Sequence, residues 1–210
     1  MNPLIDERAD LLLRGSRTLF RGLVWDVRSD EVELADGQLV TREVVVHPGA
    51  VGVIALDEHD RVLLLRQYRH PVRSYLWEPP AGLLDVSGED PLGAARRELA
   101  EEADLTADSW HVLLDFYNSP GGSTEAFRAY VARSLHEVPE ADRHQRRHEE
   151  RDMARAWVDL DEACDRVLAG ALHNPFTVIG LLAARSAREH GWSTLRDASA
   201  PWPERSPGVP

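Results

Sequence analysis

The segment GLLDVSGEDPLGAARRELAEEADL, residues 82–105, decides the fold more than any other part of the chain. The acidic residues and the proline at positions 89–91 predict a helix N-terminus, and the helix is expected to run to about Ala103. Because successive helical residues turn by about 100°, one narrow apolar stripe then faces the core. The members of this stripe are Leu92, Ala95, Leu99 and Ala103.

Carboxylates cluster on the flank of this predicted helix. Glu98 and Glu102 are four residues apart, about 40° from each other around the helix axis, and Glu101 lies beside them. Carboxylates next to a buried stripe repel one another and need a countercharge, which a divalent cation supplies. Oxygen-only ligation favours Mg²⁺ or Mn²⁺ over zinc. A solvated helix with ion pairs such as Arg97 to Glu101 explains the same pattern, so both interpretations stay open here.

The composition excludes several classes of protein. The 210-residue chain carries a formal net charge of −12, which argues against a nucleic-acid-binding surface. All 24 basic residues are arginine, which excludes a Schiff-base or P-loop lysine. Cys164 is the single cysteine, and no zinc-binding spacing is present. Since no apolar run suits a signal peptide or a membrane span, we expect a cytoplasmic protein with neither nucleic-acid nor membrane partners.

Short β-type runs alternate with a few helices along the chain, which predicts an α+β fold. Residues 1–18 are expected to form an extension or a short helix. The apolar runs 51–56 and 62–68, joined by a polar turn, predict a β-hairpin. Further strands are expected at 23–27, 32–34, 39–46, 76–78, 83–85, 112–116, 126–132 and 154–158, and C-terminal helices at about 159–170 and 174–190.

The acidic helix resembles the Nudix box, a motif of glycines and clustered glutamates. Glu89 and Arg97 have seven residues between them, as in that motif, and RELAEE follows at residues 97–102. Two departures stand out. Six residues instead of five separate Gly82 from Glu89, and Asp104 stands where the family has glycine. That second position is expected to be a helix C-cap with left-handed backbone, which aspartate tolerates less well than glycine.

Other segments resemble the ADP-ribose pyrophosphatases of the Nudix family. They are RQYR at 66–69, EPPAG at 78–82, SPGGSTE at 119–125 and EERDM at 149–153. The resemblance implies an α/β/α Nudix sandwich with an N-terminal antiparallel β extension. It places the extension at residues 1–48, with a homodimer expected through it, and the hydrolase domain at 49–191. The tail at 192–210 is rich in proline and is expected to be flexible.

The resemblance also implies roles for individual residues. The Ala81 carbonyl and the carboxylates of Glu98, Glu101 and Glu102 would bind Mg²⁺, or alternatively Mn²⁺, and the metal would activate a water. The general base would be a downstream glutamate, which the match places at Glu149, with Glu150 as the alternative. The candidates for substrate binding are Arg42, Arg69, Glu78, Gly121, Gly122 and Glu125.

The implied reaction is Mg²⁺-dependent hydrolysis of the diphosphate bond of ADP-ribose to AMP and ribose 5-phosphate. Two alternatives stay open: hydrolysis of another nucleoside diphosphate sugar, and a catalytically silent Nudix domain that senses a nucleotide. The aromatic residue that holds adenine is also open, because Leu23 stands where relatives carry an aromatic side chain. Phe20 or Trp25 would compensate, although core packing is the expected use of both.

Overall fold

The computed structural model describes residues 4–145 and 153–205, which divide into two compact units. The first unit comprises residues 4–48 together with 119–125, and the second comprises residues 49–118 and 126–205. Within these described residues, strands and three α-helices combine into an α+β fold, as the sequence predicts. None of the described helices is long and apolar enough to cross a membrane.

The first unit is built on a three-stranded antiparallel sheet. Its strands are β1 (Leu12–Arg21), β2 (Asp26–Glu33) and β3 (Leu39–Val46), in the order β1-β2-β3. The segment 119–125 is attached to β3, since Val45 donates to the Gly122 carbonyl at 2.8 Å and Thr124 donates back to Val45 at 3.0 Å.

Two expectations for this region are wrong. An extension or short helix was expected over residues 1–18, whereas Leu12 begins a ten-residue strand. Pairing with β2 along its whole length supplies the backbone hydrogen bonds of β1, a tertiary effect that its weak local pattern does not reveal. The runs 23–27 and 32–34 were expected to be separate strands, but Asp26–Glu33 is one continuous strand between β1 and β3.

The second unit contains two sheets and three helices. A five-stranded sheet has the order β11-β8-β9-β4-β7, and a three-stranded sheet has the order β10-β5-β6. The strands are β4 (Ala50–Ala55), β5 (Arg61–Arg69), β6 (Ser74–Glu78), β7 (Ala81–Leu83), β8 (Leu105–Tyr117), β9 (Ala126–Glu137), β10 (Ala154–Asp159) and β11 (Arg196–Asp197). The helices are α1 (Pro91–Ala103), α2 (Leu160–Leu168) and α3 (Pro175–Glu189).

The expected hairpin between residues 51–56 and 62–68 does not form. β4 and β5 belong to different sheets and meet only at the bridge between Leu56 and Val62. Both edges of β4 are already paired, in parallel with β9 and antiparallel with β7, and all six of its residues are buried. A continuous apolar run of this kind is typical of a strand that is covered on both faces. The turn residues that follow it do not show whether such a strand pairs with the next one in a hairpin.

Alternate residues of β4 supply two separate cores. Val51 and Val53 belong to a cluster that contains Leu99 of α1, while Ile54 belongs to a second cluster with Leu181 of α3. The sheet is therefore covered by α1 on one face and by α2 and α3 on the other. This arrangement fixes α1 against the strand ends that carry the candidate site.

The tail after Trp192 is attached to the second unit throughout its described part, residues 192–205. β11 pairs with β8, and the buried Arg128 donates to the carbonyls of Ala200 and Pro201 at 2.7 and 3.0 Å. The sequence predicts a flexible tail because the segment is rich in proline. Two backbone carbonyls of the tail instead accept hydrogen bonds from an arginine about 70 residues away in the chain. No local sequence pattern reveals this contact.

Arg128 is the charge at the centre of this attachment. It forms a bidentate ion pair with Asp115 at 2.7 and 2.9 Å, and only 2% of its surface is exposed. Burial disfavours the charge, but the hydrogen bonds and the negative charge of Asp115, together with the contribution of Tyr130, outweigh that effect and raise the pKa of Arg128. The guanidinium also lies 4.8 Å from the ring centroid of Trp202.

Replacing Asp115 with alanine leaves the buried guanidinium without its counterion. We expect the free energy of unfolding, measured by urea denaturation, to fall by about 3–5 kcal/mol. The matched control is Glu162→Ala, which breaks an exposed ion pair with Arg166 on α2 and is expected to cost less than about 1 kcal/mol. Equal losses in the two variants would contradict this account of the tail attachment.

Candidate active site

Helix α1 begins and ends as its sequence predicts. The Asp90 side chain accepts hydrogen bonds from the backbone nitrogens of Leu92 and Gly93, which caps the helix before Pro91. Asp104 ends the helix with left-handed backbone angles, φ 54° and ψ 37°. With both ends fixed, the apolar stripe packs into the core and the carboxylates lie along its border.

Two of those carboxylates meet adjacent residues of β7. Glu102 accepts a hydrogen bond from the Ala81 nitrogen at 3.0 Å, and it is buried. The Glu98 carboxylate lies directly over Gly82, where an added Cβ would stand only 2.0 Å from Oε1. A side chain at position 82 would therefore displace the Glu98 carboxylate. The structure therefore brings Ala81, Glu98 and Glu102 together.

Arg97 neutralises the remaining negative charge around this point. Its guanidinium donates to Glu98 at 2.6 Å, to Glu101 at 3.2 Å, and to both oxygens of Glu89 at 3.0 Å. The hydrogen bonds from Arg97 lower the pKa of Glu89, and those bonds in turn raise the pKa of Arg97. The sequence predicts the pair with Glu101 through its spacing, whereas the link to Glu89 depends on the path of the segment before α1.

The donor set suits a hard divalent cation in its chemistry. Glu98 and Glu102 offer carboxylate oxygens beside a backbone strand, and oxygen donors are those that Mg²⁺ and Mn²⁺ prefer. Among residues 4–145 and 153–205, however, no three acidic, histidine or cysteine side chains are arranged as a ready-made metal site. Arg97 holds Glu98 and Glu101 in ion pairs. A cation at this point would compete with Arg97 for those two carboxylates.

Arg69 and Glu78 form a second polar group in the same unit. The arginine donates to both carboxylate oxygens, with its shortest contact at 2.6 Å, and Glu78 is buried while Arg69 is partly exposed. In the ladder of β5 and β6, Arg69 is opposite Ser74 and Glu78 is opposite Leu65, so the long arginine side chain reaches along the sheet to meet Glu78. Glu78 thus holds an arginine that is partly exposed.

The other substrate-binding candidates lie in the first unit. Arg42 is exposed on β3 and donates to the Thr41 carbonyl, while the Gly122 carbonyl accepts from Val45. A Cβ added at Gly121 or Gly122 meets no described atom within 4 Å, so packing within the described chain does not require glycine there. Glu125 influences the pKa of His47. Burial lowers the pKa of that histidine, and the negative charge of Glu125 opposes the shift.

Glu149 and Glu150, the two candidates for the general base, lie outside the described residues. Their assignment therefore keeps the status of a prediction.

The structure corrects the expected use of two aromatic residues. Core packing was expected for Phe20 and Trp25, yet their exposed fractions are 58% and 47%. Trp25 packs instead on the ring of His47, with a centroid distance of 5.9 Å and an interplanar angle of 31°. Sequence reasoning misses this pair because Trp25 directly precedes β2 and His47 directly follows β3, so only the pairing of those strands brings the two rings together.

Residues 46–177 match the family model described as the NUDIX domain. The chain is 42% identical over 190 residues to an ADP-ribose pyrophosphatase of Mycobacterium tuberculosis, which covers 90% of each chain. It is 35% identical over 174 residues to a methanol dehydrogenase activator of Bacillus methanolicus, which covers 82% of this chain and 92% of that protein.

A third relative, an ADP-ribose pyrophosphatase of Bacillus subtilis, is 38% identical over 117 residues and covers 56% of this chain and 63% of its own. A solved structure described as an ADP compounds hydrolase superposes with a TM-score of 0.74, covering 89% of this chain and 99% of that one at 21% identity. The domain match spans more than half of the sequence, and the fold agrees with the superposed structure. This chain therefore belongs to the Nudix hydrolase family.

Proposed function

We propose that the protein hydrolyses the diphosphate bond of ADP-ribose to AMP and ribose 5-phosphate in a Mg²⁺-dependent reaction. The observation that carries the proposal is the convergence of Glu98 and Glu102 on β7, beside the ion pairs of Arg97. The substrate class is supported by two relatives, both named ADP-ribose pyrophosphatase. Other nucleoside diphosphate sugars are the competing substrates.

In this proposal Glu98, Glu101, Glu102 and the Ala81 carbonyl hold Mg²⁺, with Mn²⁺ as an alternative. When bound, the metal neutralises charge on the diphosphate and lowers the pKa of a water. The protein contributes a fixed geometry, because the Ala81 nitrogen orients Glu102 and Gly82 lets Glu98 approach the strand closely. Arg97 keeps the acidic residues together before binding by neutralising their mutual repulsion.

The chemical step is attack by a water oxygen on one phosphorus of the diphosphate. Glu149, or alternatively Glu150, accepts the proton of that water. The bond between the attacked phosphorus and the bridging oxygen breaks, and the second phosphate leaves as a monoester. Arg69 would bind the diphosphate or the terminal ribose in an orientation set by Glu78, because a guanidinium offers paired donors to phosphate oxygens.

The remaining candidates belong to the first unit. Arg42, Gly121, Gly122 and Glu125 are its proposed substrate-binding residues. The half-exposed Trp25, packed on His47, offers an aromatic face suited to stacking with a nucleobase.

A second copy of the chain is the proposed partner of the first unit. All ten residues of β1 are exposed, and they include Leu12, Leu13, Leu19 and Phe20. Exposed apolar groups of this kind commonly mark protein interfaces, which supports a homodimer.

Wild-type protein is expected to hydrolyse ADP-ribose, with release of AMP, faster than it hydrolyses ADP-glucose, GDP-mannose or NADH, and EDTA is expected to stop hydrolysis. Product chromatography with Mg²⁺ or EDTA measures both. Glu98→Gln should lower kcat at least about a hundredfold, equivalent to about 3 kcal/mol of transition-state stabilisation. Glu162→Gln, an exposed glutamate on another helix, is the control that should leave kcat unchanged. Turnover that survives EDTA or Glu98→Gln would refute metal-dependent hydrolysis at this site.

The general base is tested by paired variants of adjacent residues. Glu149→Gln is expected to lower kcat by about a hundredfold or more with little change in KM, since a positioned base contributes about 10²–10⁴ in rate. Glu150→Gln provides the matched comparison and should have a small effect in steady-state assays. The reverse ranking would transfer the role to Glu150, and full activity in both variants would exclude a base in this segment.

A further inference from the structure

Asp104 makes a contact that glycine, the residue of the family motif at this position, cannot make. Its Oδ2 accepts a hydrogen bond from Nη2 of Arg155 at 2.7 Å, and Asp104 is buried. Nη1 of the same arginine donates to the Ala103 carbonyl, also at 2.7 Å. Arg155 therefore binds both a side chain and a last-turn carbonyl at the C-terminal end of α1.

Aspartate at this position has a conformational cost. A left-handed backbone is unfavourable for residues with a Cβ by about 1–2 kcal/mol, somewhat less for aspartate, whereas glycine adopts it freely. Glycine would therefore stabilise the backbone conformation of the C-cap better than aspartate does. What aspartate adds is the carboxylate that binds Arg155.

The ion pair joins α1 to the start of β10. Arg155 is the second residue of β10, and Met153 just before this strand packs against the core cluster that contains Leu99 and Ala103 of α1. Glu101 and Glu102 lie only three and two residues before Asp104. The start of β10 is thus fixed to the same helix end that carries the candidate metal ligands.

We propose that Asp104 and Arg155 are positioning residues for hydrolysis, holding the start of β10 in register with the acidic residues of α1. This inference rests on the proposed function. The ion pair fixes the last turn of α1, where Glu101 and Glu102 lie, against the start of β10. The placement of these candidate metal ligands therefore depends on how firmly the helix end is anchored, and displacement by about 1 Å can cost a hundredfold in rate.

The decisive variant is Asp104→Gly, which restores the backbone preference of the cap while removing the carboxylate. With ADP-ribose and Mg²⁺, we expect kcat to fall at least about tenfold and KM to stay within about twofold. Asp104→Asn should retain most of kcat, because asparagine also tolerates the left-handed conformation and offers Arg155 an acceptor oxygen. Near-UV circular dichroism at the assay temperature establishes that each variant is folded.

Arg143→Ala is the matched control. Arg143 lines the same cavity as Asp104 and Arg155, but it hydrogen-bonds the Val138 carbonyl and Glu137. Its removal should leave kcat within about twofold. The double variant Asp104→Gly/Arg155→Ala should lose no more activity than the stronger single variant, because both substitutions break one contact.

Folded Asp104→Gly protein with wild-type kcat would overturn the inference while leaving the proposed function intact. Independent, multiplying losses in the double variant would also overturn it. If wild-type protein fails to turn over ADP-ribose with Mg²⁺, the proposed function fails and the positioning role fails with it.

Discussion

The candidate site depends on the packing of α1 against β7. Glu102 is tied to the Ala81 nitrogen, and Glu98 occupies the space that a side chain at position 82 would fill. Both contacts require α1 to lie close to the sheet, which the small buried residues Ala94 and Ala95 permit. The distance between α1 and β7 therefore determines both the packing of the helix and the positions of the two carboxylates.

Charge balance around α1 explains how several carboxylates lie close together. Arg97 alone contacts three of them, and it is the group with which a divalent cation would compete. Binding of a cation would exchange one countercharge for another without leaving the carboxylates exposed to mutual repulsion. The same arginine thus makes the acidic helix stable and suits it to metal binding.

The sequence predicts those features that depend on residues close together in the chain. The bounds of α1 follow from Asp90, Pro91 and the apolar stripe, and the closeness of Glu98 to Glu102 follows from helical spacing. The sheet partners of β4 and the attachment of the tail through Arg128 do not follow, because each depends on residues far apart in the chain. The substitution at Asp104 is visible in the sequence as a departure, but its partner Arg155 becomes visible only in the folded chain.

The central claim, that the acidic residues of α1 form a divalent cation site, is tested most directly by titrating the protein with Mn²⁺ and following the free ion by electron paramagnetic resonance. Saturable binding to wild-type protein, weakened at least about tenfold by Glu98→Gln/Glu102→Gln, is the result this account predicts. Equal binding by the wild type and the double variant, with both folded, would contradict it.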